Sequence, residues 1–89
     1  MSDWYPRVKS VNLAELTIPP AIIELVPESV ARENVLMPIG EENGILQIVM
    51  SNPTDYDTIL KVQFILARDI QLAVAPKEQI VVAINRHYG

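Results

Sequence analysis

Asp55 and Asp57 stand two residues apart, the kind of carboxylate pair that general acid–base catalysis uses. Their setting gives them another task. Thr54-Asp55-Tyr56-Asp57 follows Asn52-Pro53 and precedes an apolar stretch, so the acids fall in the first turn of a predicted helix. Negative charge is favourable there, and side chains two apart on a helix point in different directions. His87 is the sole histidine, and the chain has no cysteine to complete a zinc site; a cation near a helix C-terminus is the reading. Ser29 is supplied with neither the base nor the oxyanion hole that a serine nucleophile requires. Gly40 and Gly44 form the only close glycine pair, but Gly44 is followed by Ile45 rather than by the Lys and hydroxyl residue of a phosphate-binding loop, so turn chemistry accounts for both. No catalytic residue, no metal ligand and no cofactor site is predicted. Trp4 and Tyr5 remain. Two large aromatics in an N-terminal stretch either pack back on their own domain or are available to a partner, and they are the candidate partner-binding residues.

Proline spacing and apolar period define the elements around these groups. Residues 1–17 have only a weak apolar pattern at Val8, Val11, Leu13 and Leu16 and are predicted as a partly mobile arm, with 18–89 as the folded domain. Pro19-Pro20 opens a short helix carrying Ile22, Ile23 and Val26; Pro27 stops it and starts a second over 28–34, flanked by Glu28 and Glu33. Apolar runs at 35–39 and 45–50 enclose a loop over 40–44 with Asn-Gly chemistry, a hairpin signal. Pro38 lacks the amide a central strand needs, which places that strand at an exposed edge.

Thr54 followed three residues later by Asp57 has capping-box spacing, and a helix to about residue 67 is predicted, with Tyr56, Ile59, Leu60 and Phe64 along a core-facing side. A third strand over 70–75 precedes a helix from Pro76. There Ile80, Ile84 and Tyr88 recur at i, i+4 and i+8 to face the sheet, and Gly89 terminates the helix. The expected fold is therefore a small α+β domain of order α-α-β-β-α-β-α, with helices packed on a three-stranded sheet.

Composition narrows the function classes. The 89 residues carry seven Lys and Arg against eleven Asp and Glu, a net charge of -4, with no polybasic cluster; nucleic acid is an unfavourable partner. No stretch approaches the ~20 apolar residues of a membrane span, and the N-terminus has no apolar core of a secretory signal. The residues thus describe a soluble domain with a role in interaction rather than catalysis.

The stretch from Ile18-Pro19-Pro20 through Leu25-Val26-Pro27-Glu28-Ser29-Val30-Ala31-Arg32 to Val35-Leu36-Met37-Pro38-Ile39 resembles the opening of the N-terminal domain of type II secretion and type IV pilus assembly ATPases. The likeness continues through Ser51-Asn52-Pro53-Thr54-Asp55, Phe64, and Ala75-Pro76-Lys77-Glu78-Gln79-Ile80 to Ala83-Ile84 and Tyr88-Gly89. It departs at Leu66-Ala67-Arg68, where many members carry a Thr-Gly pair. The resemblance implies a docking module that engages a cytoplasmic part of an inner-membrane assembly partner, ahead of a separate ATPase motor, and so a bacterial cytoplasmic protein. Some members of that family also bind cyclic di-GMP through an upstream Arg-Leu-Gly motif. Residues 1–17 contain no Arg-Leu-Gly and no glycine, so that activity is not carried over, and a cyclic-dinucleotide-responsive regulatory domain is kept only as the alternative reading.

Overall fold

A computed structural model describes residues 9–89. Its strands are β1 (Lys9–Ser10), β2 (Leu36–Glu42), β3 (Ile45–Met50) and β4 (Ile70–Val74); its helices are α1 (Pro20–Ile23), α2 (Glu28–Asn34), α3 (Tyr56–Leu66) and α4 (Lys77–Tyr88). A short 3-10 turn, Leu13–Glu15, lies between β1 and α1. The α+β class and the order of the larger elements agree with the sequence. The sheet has four strands rather than three, in the order β1-β4-β3-β2. The extra strand is two residues long, Lys9 opposite Ala73 and Ser10 opposite Val74, and Val11 N–H extends it by donating to the Val74 carbonyl at 2.9 Å. So short a strand has no detectable period of its own; the free edge of β4 supplies the pairing.

β2 and β3 form the antiparallel hairpin, Leu36 against Met50 and Glu42 against Ile45. Its loop is tighter than the sequence suggests, because residues 40–42 continue β2 and only Asn43 and Gly44 turn, at φ 54° and 80°. Two consecutive positive φ values are the turn that matches strand twist, and Asn-Gly is the pair that adopts it at least cost. Pro38 does lie on an edge strand, with a register shift between Pro38 and Gly40, but its ring is among the fully buried side chains. The missing amide concerns the strand's hydrogen-bonding edge, whereas the ring follows the pleat inward, and α1 packs against β2.

β3, α3 and β4 form a βαβ unit with β3 and β4 parallel, Leu46 opposite Ile70 through Met50 opposite Val74. Core side chains come from every layer: Leu36, Met37, Leu46, Ile48, Val49 and Ile80 are almost wholly excluded from solvent. Ile84 is also buried, as its spacing predicts. Tyr88 is half-buried and goes elsewhere: its hydroxyl donates to the Val26 carbonyl at 2.8 Å, which ties the end of α4 to the corner between α1 and α2. Arg32 braces the same junction, bonding Glu28 at 2.6 Å within α2 and Asn85 at 2.9 Å on α4.

α3 ends on Ala67, whose φ of 52° is left-handed. Many members of the resembled family carry a Thr-Gly pair in the stretch that corresponds to Leu66-Ala67-Arg68, and a left-handed helix end favours glycine over alanine. Ala67→Gly is expected to raise stability by about 1 kcal/mol, since a left-handed L-residue costs ~1–2 kcal/mol and glycine little. Urea melts of the two proteins give the sign.

Candidate functional site

Of the polar groups singled out for chemistry, Asp55 is taken up by local structure. Asp55, not Thr54, is the N-cap of α3: its carboxylate accepts from the Thr58 N–H at 3.3 Å and the Thr58 hydroxyl at 2.8 Å. Thr54 is held one step earlier, its hydroxyl donating to Asn52 Oδ1 at 2.7 Å, so the capping-box reading is off by one residue. The cause is the turn at Asn52-Pro53, which accepts Thr54 as its own partner and leaves the first helical amides to the next acid. Asp57 is exposed in the first turn. His87 sits in the last turn of α4 beside Arg86, and Ser29 is exposed on α2. Among the described residues no group of His, Cys, Asp and Glu could hold a metal ion, and no helix is long and apolar enough to cross a membrane. Trp4 and Tyr5 lie outside the described residues.

Among the described residues, burial perturbs one titratable group clearly. The Tyr88 hydroxyl is pushed up to about 12, first by burial and then by the nearby Glu28 carboxylate, both of which disfavour a phenolate. The site is a packing joint, and its proton is held rather than offered.

Two surface features stand out instead. A groove of about 240 Å³ runs between the 3-10 turn and α4, lined by Leu13, Ala14, Glu78, Val82, Ala83 and Arg86. Gln79 pins the turn to the helix by accepting from the Leu13 N–H at 3.1 Å. The second feature is α3 itself. Tyr56, Leu60 and Phe64 were expected in the core, yet they are 60%, 64% and 86% exposed, whereas Val62 is fully buried and Ile59 and Leu66 pack against the core. α3 is apolar on most of its circumference, so period alone cannot choose the buried arc; the crossing between β3 and β4 does. At its C-terminal end Gln63, Phe64, Ala67 and Asp69 surround an open depression of about 690 Å³, bordered by Gly44 and by Arg68, which pairs with Glu41.

Comparison with known proteins places this architecture. The model of the MshEN domain family matches residues 5–89. Among solved structures, MshE with cdg is 26% identical with a TM-score of 0.84, covering 91% of this chain and 59% of that one. The N-terminal domain of XpsE is 23% identical with a TM-score of 0.76 over 89% of this chain and 56% of that one, and 24% identical with a TM-score of 0.80 in another crystal form. The chain therefore spans less than two thirds of the solved chains it matches. A comparison with curated proteins gives no match.

Proposed function

Because the chain belongs to the MshEN domain family, whose resemblance is to the N-terminal domains of type II secretion and type IV pilus assembly ATPases, we propose that it is a non-catalytic docking module engaging a cytoplasmic part of an inner-membrane assembly partner. The family match over residues 5–89 is the observation that carries this reading. The chemistry of the chain supports it: Asp55 is spent on capping α3, and the net charge of -4 disfavours polyanionic ligands. Within this reading the protein works in the cytoplasm, drawn to the inner membrane through its partner, and an ATPase motor belongs to the full-length system. The stretch 1–17, whose Lys9 and Ser10 pair with β4 and whose Leu13 lies in the core, and the domain, 18–89, share the docking, with Trp4 and Tyr5 as anchors, since large rigid aromatics are the side chains that dominate interface energetics. The exposed faces of α1 and α2 are the next surface to test.

The experiment is capture of the purified cytoplasmic segment of such an inner-membrane protein by the immobilised chain. Trp4→Ala with Tyr5→Ala is expected to weaken capture by more than about tenfold while the melting temperature stays within about 2 °C of the parent. Unchanged capture moves the surface to α1 and α2; no capture by either protein removes the docking reading.

A second reading, a cyclic-dinucleotide-responsive regulatory domain, is favoured by the similarity to MshE solved with cdg. Low-micromolar binding of cyclic di-GMP in a calorimetric titration, without capture of the membrane protein, selects it.

A further inference from the structure

Tyr56, Leu60 and Phe64 recur at i, i+4 and i+8 on α3 and so form one ridge along the helix. No element among the described residues covers it, and the three side chains are 60%, 64% and 86% exposed. Exposed large apolar residues scattered singly are ordinary; three aligned on one helix face make a contiguous patch, the kind that marks an interaction surface. Beside the ridge stand Asp57 and Lys61, both exposed, one turn apart and of opposite sign. The flank therefore carries no net charge that would favour an acidic or a basic partner. It is complementary to itself.

We propose that this ridge is a self-association surface, on which α3 pairs antiparallel with α3 of a second copy about a two-fold axis passing beside Leu60. The ridge is an aromatic, a leucine and an aromatic with the leucine at its centre, so inverting it sets Tyr56 against Phe64 of the second copy, Leu60 against its own equivalent, and Phe64 against Tyr56. A two-fold axis normal to the plane of the two helices keeps the charged flank of each copy on the same side. At a rise of 1.5 Å per residue, Asp57 then lies about 3 Å along the axis from Lys61 of the second copy, within reach of the lysine side chain. The symmetry makes two such ion pairs. Surface area sets the strength: three side chains of this size and exposure offer roughly 400 Å² per copy, so the pair buries on the order of 800 Å², at the low end for reversible association. The contact is weak, and it forms where copies are concentrated or held side by side. It uses α3, which the docking reading leaves free, so either stands without the other.

Sedimentation equilibrium of the whole chain tests it. The mass is expected to rise from that of a 10.0 kDa monomer toward twice that value as concentration increases from about 10 µM to about 1 mM. Leu60→Asp is expected to weaken association by more than about tenfold without lowering the melting temperature, because the side chain is 64% exposed. Asp57→Lys alone and Lys61→Asp alone each weaken it, since each places like charges opposite across the axis. An equimolar mixture of those two variants restores association, because each lysine then meets an aspartate of the other chain. A monomer at about 1 mM, association indifferent to Leu60→Asp, or no recovery on mixing overturns the proposal.

Discussion

Replacing Ile84 with alanine is expected to lower the stability of the domain by about 2–5 kcal/mol, the range for truncating a buried aliphatic side chain where the surroundings cannot close the gap. Ile84 is 3% exposed on α4, the helix that packs against α2, β2, β3 and the 3-10 turn, so a cavity there is bounded by several elements at once. A domain of this length has a total stability of roughly 4–13 kcal/mol, so the loss is a large share of what holds it folded. Chemical denaturation reads the effect. Val82 on the same helix is 58% exposed, and Val82→Ala should change stability by less than about 0.5 kcal/mol. If the two substitutions cost the same, α4 does not dock through the face that carries Ile84.

Tyr88→Phe is expected to cost about 1–2 kcal/mol at neutral pH, because it removes the donor to the Val26 carbonyl and leaves that acceptor unpaired at the α1–α2 corner. The cost should depend on pH in one direction. The hydroxyl is pushed up to about 12 in the folded protein from an ordinary value of 10.0, by burial and then by Glu28. The neutral phenol is thus the form the fold favours. Its contribution is complete below pH 10.0, where Tyr88 is neutral folded or unfolded, and is lost as pH rises through about 12. Because the side chain is only half-buried, solvent screening holds the alkaline loss to about 1 kcal/mol. Stability measured from about pH 9 to about pH 12 should therefore fall more steeply for the parent than for Tyr88→Phe, the two curves converging at the alkaline end. Curves that stay parallel would mean that the hydroxyl is not held against the carbonyls of the corner.

Sequence reading succeeded where the cause of structure is local. Pro19-Pro20 and Pro27 start helices because a proline ring fixes φ and needs no amide partner, and the starts of α1 and α2 lie where those residues put them. Asn43-Gly44 turns the hairpin through its tolerance of positive φ. The family was legible for a similar reason: its turns and helix starts are spelled by Pro, Gly and acidic residues in fixed order, and these can be recognised without knowing what packs on what. The candidate site was less legible. Asp55 and Thr54 compete for one capping role, and the outcome rests on where Asn52 directs its side-chain oxygen, a matter of a single turn's geometry.

What the sequence by itself determined about this protein is thus its α+β class, the order of its larger elements, its hairpin and its family. Tertiary structure decided the rest. β1 joins the sheet because the edge of β4, more than sixty residues further along the chain, offers Lys9 and Ser10 a parallel partner; nothing within two residues of sequence encodes that pairing. α3 turns Val62 inward and Tyr56, Leu60 and Phe64 outward because it must cross from β3 to the parallel β4, and only one of its several apolar arcs can meet the core on that path. A period of 3.6 residues shows that a helix has faces. When several faces are apolar, the neighbouring strands choose which one is buried and which is left in solvent.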